Sequence, residues 1–186
     1  MLNHPPSRLT LLESLQAYSP TDPHERQMLE AMRQFVAQHE DCFLRSILSG
    51  QVTGSAWITD PARQRALLVF HRKLEKWLQP GGHSDGNPDI LAVALTEAQE
   101  ETGLQSVRPV NGEIFDIDVH TIPERKGVPE HQHYDVRFWF EADPNEPLTI
   151  SHESLDLRWV SLADIASLNA DESLLRLVRK TPTGNS

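Results

Sequence analysis

A glycine-rich loop at residues 79–86, together with the helical stretch after it, places the strongest constraint on the fold of this 186-residue chain. Its paired glycines, Gly81 and Gly82, let the backbone approach a neighbouring group closely. The residues after the loop repeat with the period of a helix, and Gly103 is placed to end that helix. We therefore predict a helix over residues 88–102, directly after the glycine-rich loop.

Three glutamates on this predicted helix, Glu97, Glu100 and Glu101, are spaced i, i+3 and i+4, so their side chains converge on one face. Like charges at this spacing destabilise a helix, and no lysine or arginine lies between Trp77 and Val107 to offset them. Mg²⁺ and Mn²⁺ prefer oxygen ligands. The carboxylates alone favour a solvated acidic face, but the flanking glycines shift the interpretation towards a metal site.

Hydrophobic periodicity and capping residues predict the other elements. Asp22 is a suitable N-cap for a helix that reaches about His39, because Pro23 and Glu25 follow it in the first turn. For the helix at residues 88–102, Asn87 is the expected N-cap. We also predict a short helix at residues 9–19, strands at residues 55–59, 65–71, 113–122, 134–142 and 155–160, and helices at residues 162–168 and 172–180.

Composition narrows the classes of partner. The formal charge of −10 argues against duplex nucleic acid, whose binding needs a basic face. No apolar run approaches the ~20 residues that span a bilayer, so we expect no membrane partner. The single cysteine, Cys42, cannot form an internal disulfide, which fits a cytoplasmic location. We predict an N-terminal helical extension at residues 1–48, one α/β domain at residues 49–180 and a disordered tail at residues 181–186.

The loop and helix together resemble the Nudix box, which reads glycine, five residues, glutamate, seven residues, then Arg-Glu-hydrophobic-x-Glu-Glu-x-Gly-hydrophobic. Two positions depart from it, since Thr96 replaces the arginine and Pro88 replaces the first glutamate. The resemblance covers about residues 50–170, including WLQPGGH and LDLRWVSLADI segments typical of the family. It implies a Nudix fold, with a mixed β-sheet sandwiched between helices. Counting from Gly82, the matching residues are Glu97, Ala98, Glu100, Glu101, Gly103 and Leu104.

This resemblance implies a hydrolase that uses Mg²⁺ or Mn²⁺ to cleave a phosphoanhydride bond in a nucleoside diphosphate linked to another group. The substrate would be a small molecule, a nucleotide. The metal ligands would be Glu97, Glu100, Glu101 and the backbone carbonyl of Gly82. Such ions activate the attacking water and neutralise developing charge. Glu101, with Glu100 beside it on the helix, is the first candidate for the general base. Glu153, in the loop before a later strand, is the second. Analogy with the fold also allows a homodimer.

Cationic and imidazole side chains near the predicted site are candidates for holding the substrate. Arg72 and Lys76 come just before the glycine-rich loop, His83 lies within it, and Arg137 lies on a later strand. Each of the basic residues, taken alone, is more often a solvated surface charge.

A group of histidines, His120, His131 and His133, is unusual in this sequence. If the segment around His131 is extended, the side chains of His131 and His133 point to the same side. We consider a second metal site or a phosphate contact here, beside the more ordinary interpretation of a polar loop with structural histidines.

Two alternatives to a hydrolase remain open at this point. The departures at Thr96 and Pro88 favour a nucleotide-binding module that retains the fold and has lost the chemistry. An isomerase acting on an isoprenoid diphosphate is disfavoured, because the only cysteine, Cys42, lies in the linker before the first predicted strand.

Overall fold

The computed structural model describes residues 6–125 and 127–182. Helices α1 (Arg8–Ala17) and α2 (Pro23–Gln38) come first. They are followed by strands β1 (Gly50–Thr59), β2 (Arg65–His71), β3 (Lys76–Leu78) and β4 (Gly81–His83). Helix α3 (Ile90–Thr102) precedes strands β5 (Arg108–Ile122), β6 (His131–Glu141) and β7 (Ser154–Ser161), and a 3₁₀ turn (Ile165–Leu168) leads to helix α4 (Glu172–Lys180).

The strands of the described residues form one seven-stranded sheet. Its order is β3-β2-β1-β6-β5, with β4 paired to β1 and β7 paired to β2. This sheet, flanked by helices, confirms the mixed α/β class predicted from the sequence. A search of the described residues finds no helix that is both long and apolar enough to cross a bilayer.

Helix α2 begins as predicted, because the Asp22 carboxylate accepts hydrogen bonds from the first-turn backbone N–H groups. The prediction for α3 was wrong at its start. The helix begins at Ile90, and its N-cap is Asp89, whose carboxylate accepts the N–H of Ala92 at 3.0 Å. Asn87 instead accepts the N–H of Asp89, so it orders the turn before the helix.

Two other predictions of secondary structure need correction. The helix predicted at residues 162–168 is only the 3₁₀ turn Ile165–Leu168. Strand β4 lies inside the segment that we predicted as a loop, and β3 was also missed. Each of these two strands has only three residues, too few for a period of two to be recognised from sequence.

The described chain forms two compact units. The first contains the described residues up to Gly54, with Gly82–Val93 and Gly112–Phe138. In this unit Met32 and Val36 of α2 are fully buried, and Phe35 stacks on Tyr134 with ring centres 4.1 Å apart. Burying side chains of this size contributes about 1.5–3 kcal/mol each.

Polar contacts also join the N-terminal helices to β5 in this unit. The Tyr18 hydroxyl donates to the carbonyl of Phe115 at 3.0 Å and also bonds the Glu25 carboxylate. The same carboxylate accepts the N–H of Ile117 at 3.1 Å. Helices α1 and α2 therefore belong to the packing of this unit, and the division at residue 48 stays a prediction.

The second unit contains Ser55–Gly81, Ala94–Asn111 and the described residues from Trp139 onward. Strand β2 is antiparallel to β3, with Phe70 opposite Trp77, and antiparallel to β7, with Leu67 opposite Trp159. The predicted tail falls in this part of the chain. Thr181 is nevertheless buried and accepts a hydrogen bond from the Trp57 indole at 2.8 Å, while residues 183–186 lie outside the described residues.

Candidate active site

The glutamates of α3 lie in the second unit, where the backbone of the glycine pair meets one of them. The N–H of Gly81 donates to the Glu101 carboxylate at 2.9 Å. A side chain at Gly81 would collide with Ser55, so only glycine fits at this point of the chain. Helix α3 ends at Thr102 and is followed by Gly103, whose φ of 77° favours glycine. The close backbone approach predicted from the paired glycines is therefore present at Gly81.

The Glu101 carboxyl is perturbed by its surroundings. Its pKa is raised from 4.5 to about 7, chiefly by burial; the hydrogen bond from Gly81 opposes this rise, and the charges of Glu97 and Glu153 add to it. Glu153 is far away in sequence, but its charge acts on Glu101 within this unit. Both candidate bases thus belong to one electrostatic group.

The two other glutamates of the box differ in exposure. Glu97 is half-buried and contributes to the field at Glu101, whereas Glu100 is exposed. Thr96, which replaces the arginine of the box, is also exposed. The position where the family places an arginine thus holds a short side chain at the surface.

Arg72 positions the loop that carries Glu153. Its guanidinium donates to the carbonyls of His152 at 3.0 Å and Ser154 at 3.1 Å. The backbone N–H of Arg72 donates to the carbonyl of Glu153 at 2.9 Å. These three bonds hold the loop on both sides of the Glu153 side chain. We therefore assign Arg72 to positioning this loop, while its predicted contact with substrate stays a prediction. Lys76 is exposed at the start of β3.

Carboxylates suit a hard divalent cation, whose preferred ligands are oxygens. In the described residues no group of three or more His, Cys, Asp or Glu side chains is arranged so that it could hold a metal ion. Mg²⁺, however, is usually bound by one or two carboxylates, with water and substrate phosphates completing its shell. The glutamates of α3 therefore fit such an ion by their chemistry without forming a complete cage.

The predicted histidine group lies in the first unit and surrounds His133. The ring centre of His133 is 4.9 Å from that of His83, 5.5 Å from that of His120 and 5.3 Å from that of His131. His131 and His133 lie in an extended segment, because β6 begins at His131, three residues before the predicted strand. Gly82, proposed to offer its carbonyl to a metal, is half-buried in β4. The structure thus brings the four predicted imidazoles together.

His133 remains neutral in this setting. Its pKa is lowered to about 3, chiefly by burial and also by the charges of the three other histidines and of Arg45. Its Nε2 atom is buried and has no hydrogen-bond partner among the described residues. A buried polar atom without a hydrogen-bond partner is costly in a protein interior.

Arg137 does not lie where the sequence led us to expect. Its guanidinium is 3% exposed and contacts three aspartates: Asp116 at 3.2 Å, Asp118 at 3.3 Å and Asp135 at 2.8 Å. These charges hold the pKa of Arg137 above its usual range, despite its burial. A buried, fully engaged guanidinium cannot reach a substrate from solvent, so the predicted substrate contact is not supported.

Sequence reasoning missed two residues that act on the histidines. The Asp118 carboxylate lies 3.0 Å from Nδ1 of His120, and Arg45 forms a two-bonded ion pair with Asp85. Asp118 and His120 are two residues apart on a predicted strand, so their shared face was available as a signal. Nothing local to Arg45 indicated its position near His133.

Comparison with known proteins agrees with this geometry. A family model described as the NUDIX domain matches residues 51–180. A probable DHNTP pyrophosphohydrolase of Lactococcus lactis is 30% identical over 84 residues, which cover 44% of this chain and 49% of that protein. The asymmetrical bis(5'-nucleosyl)-tetraphosphatase of Rattus norvegicus is 26% identical over 110 residues, 58% of this chain and 71% of that protein. The first match thus spans about half the length of the relative.

Among solved structures, a C. elegans Ap4A hydrolase in a binary complex aligns with a TM-score of 0.56. The alignment covers 69% of this chain and 93% of that chain at 19% identity, a level that speaks for the fold alone. The family model covers more than half of the chain and includes the loop, the glutamate helix and Glu153. This chain belongs to the NUDIX domain family.

Proposed function

We propose that the protein is a divalent-cation-dependent hydrolase that cleaves a phosphoanhydride bond in a small nucleotide-like substrate. The observation that carries this proposal is the environment of Glu101. Its carboxylate is held by the N–H of Gly81, it is next to Glu97 on the helix face, and its pKa is raised to about 7. A general base is most effective when its pKa lies near the working pH.

The metal ligands that we propose are Glu97, Glu100 and Glu101, together with the carbonyl of Gly82. When bound, Mg²⁺ or Mn²⁺ supplies positive charge that binds phosphate oxygens and lowers the pKa of water. This charge also offsets the repulsion between an anionic substrate and a chain of formal charge −10. The ionised form of Glu101, which burial disfavours, would gain from the same cation.

Glu101 is our first candidate for the residue that accepts a proton from the attacking water. Glu153 is the second candidate, and its charge raises the pKa of Glu101. Arg72 keeps Glu153 in place through the loop carbonyls. Lys76 and His83 remain our candidates for holding the phosphate chain, whereas Arg137 is left out because it is buried.

The test is metal-dependent turnover on a panel of substrates. The panel begins with diadenosine tetraphosphate and dihydroneopterin triphosphate, because two relatives carry those activities in their names. Nucleoside triphosphates, nucleotide sugars and ADP-ribose complete it. We expect release of phosphate, pyrophosphate or a mononucleotide in Mg²⁺ or Mn²⁺ and none after chelation.

Matched glutamine variants locate the base. Glu101→Gln should lower kcat about 10²–10⁴-fold, the usual contribution of a general base. Glu153→Gln should lower kcat less and move the acid limb of the pH profile to lower pH, because it removes a charge that raises the pKa of Glu101. If Glu153→Gln causes the larger loss and Glu101→Gln retains turnover, the two assignments are reversed.

A second candidate function is a nucleotide-binding module without turnover. The two departures from the box favour it, since Thr96 is exposed and cannot supply the charge of an arginine, and Pro88 offers no carboxylate. Nucleotide binding without metal-dependent turnover on any substrate of the panel would establish this function. A homodimer, a cytoplasmic location and the lack of a duplex nucleic acid partner stay predictions.

A further inference from the structure

The imidazole of His71, the last residue of β2, is fixed by the turn that follows the strand. Its Nδ1 atom accepts the backbone N–H groups of Lys73 at 3.3 Å and Leu74 at 3.2 Å. A ring nitrogen that accepts hydrogen bonds uses its lone pair and carries no proton. The ring is therefore the neutral tautomer whose proton is on Nε2, where it presents an N–H donor.

A β-bulge brings the loop that carries Glu153 beside this ring. The register of β2 and β7 shifts after Phe70, so that His71 lies opposite Ser154, the first residue of β7. Regular pairing would have set Leu155 opposite His71, and Leu155 is instead the extra residue of the bulge. The bulge therefore places the end of β2 one residue closer to Glu153 along the chain of β7.

The side chain of Glu153 is held less firmly than its backbone. Arg72 bonds the backbone carbonyls of the loop, whereas the Glu153 side chain is 50% exposed. Nε2 of His152 lies 3.6 Å from its carboxylate, but His152 is 92% exposed, and an exposed ion pair holds a side chain weakly. The fixed ring of His71 is a better anchor, and the charge of Glu153 acts on it.

The donor at Nε2 of His71 is available to this carboxylate. Among the described residues it has no hydrogen-bond acceptor, so a turn of the half-exposed Glu153 side chain can bring the carboxylate to it. This turn leaves both hydrogen bonds at Nδ1 intact, because the ring itself does not move. Burial lowers the pKa of His71, the charge of Glu153 opposes this, and the charge of Lys73 adds to it. The ring is thus a neutral donor, which orients a carboxylate without protonating it.

We propose that His71 is a positioning residue for Glu153, whose carboxylate it orients through the N–H of Nε2. The inference rests on the proposed hydrolase function, in which Glu153 is the second candidate for the general base. The charge of Glu153 also acts on Glu101, so the position of its carboxylate matters whichever of the two is the base. Arg72 then fixes the backbone of the loop, and His71 fixes the side chain.

Two variants of the full chain separate the roles of the ring nitrogens. In His71→Asn the amide oxygen takes the place of Nδ1 and still accepts the N–H groups of the turn, but no donor reaches the place of Nε2. His71→Gln carries an amide donor near Nε2 and gives up the bonds to the turn. We expect His71→Asn to lower kcat at least about tenfold, with a smaller change in KM, and His71→Gln to retain most of kcat. In the Glu153→Gln background, His71→Asn should cause no further loss.

NMR of isotope-labelled histidine tests the contact without turnover. His71 should carry its proton on Nε2, and Glu153→Gln should lower its pKa, because a charge that raises this pKa is removed. His152→Asn is the matched control and should retain both kcat and the His71 titration.

The proposal is overturned if His71→Asn keeps kcat while His71→Gln loses it, since His71 would then only stabilise the turn. It is also overturned if Glu153→Gln leaves the His71 titration unchanged. A wild type without metal-dependent turnover would refute the hydrolase instead, and the NMR titration would then decide whether His71 contacts Glu153.

Discussion

Replacing Glu101 by glutamine in the metal-free protein isolates the effect of burying this carboxylate. The amide oxygen of glutamine can still accept the N–H of Gly81, so the variant removes the charge and keeps the hydrogen bond. In the wild type the pKa of Glu101 is raised from 4.5 to about 7 on folding. Folding therefore favours the protonated carboxyl.

The sign and size of the effect follow from this shift. The folded state holds the Glu101 proton more tightly than the unfolded state, so the stability present below about pH 4.5 is lost as the pH rises through about 7. One pKa unit corresponds to about 1.4 kcal/mol, so the shift from 4.5 to about 7 gives a loss of at most roughly 3.5 kcal/mol. The glutamine variant does not titrate and escapes this loss. Relative to the wild type, its stability should rise between about pH 4 and pH 8 by up to that amount.

Urea unfolding in a chelator, followed across this pH range, measures the difference between the two proteins. Glu100→Gln is the matched control, because Glu100 is exposed and its replacement should change the pH dependence much less. Mg²⁺ added at high pH should stabilise the wild type more than Glu101→Gln, since the cation favours the ionised carboxylate. A difference between Glu101→Gln and wild type that is flat with pH would refute the reasoning.

Three further outcomes follow from the contacts. Arg137→Leu should lower the free energy of unfolding, measured with urea, by about 3–5 kcal/mol, because it leaves buried aspartates uncompensated. A loss below roughly 1 kcal/mol would contradict this role of Arg137. Arg72→Ala should lower kcat more than it changes KM, because the loop that carries Glu153 loses two hydrogen bonds. A change in KM alone would indicate that Arg72 contacts the substrate instead. Burial raises the pKa of Cys42 from 9.0 to about 11. At about pH 8 a thiol reagent should therefore react with Cys42 at least about a hundredfold more slowly in the folded than in the unfolded protein. Equal reaction rates would show that the thiol is accessible.

The sequence alone predicted the features that depend on neighbours along the chain. The spacing of Glu97, Glu100 and Glu101 fixes a shared helix face, because a helix repeats every 3.6 residues. Asp22 identified the start of α2, and the spacing of His131 and His133 indicated a shared face on the condition that their segment is extended, as it is in β6. Each of these features is encoded within about one or two turns of helix or a few residues of strand.

Tertiary packing decided the properties that depend on distant residues. Glu153 is 52 positions from Glu101 in the chain, yet its charge raises the Glu101 pKa, and burial raises that pKa more. Arg137 carries no local sign of its burial among aspartates, which removes it from the substrate candidates. Desolvation and charge pairing depend on which groups the fold brings together. Spacing along the chain therefore identifies the candidate ligands, while the ionisation and accessibility of each side chain are set only in the folded protein.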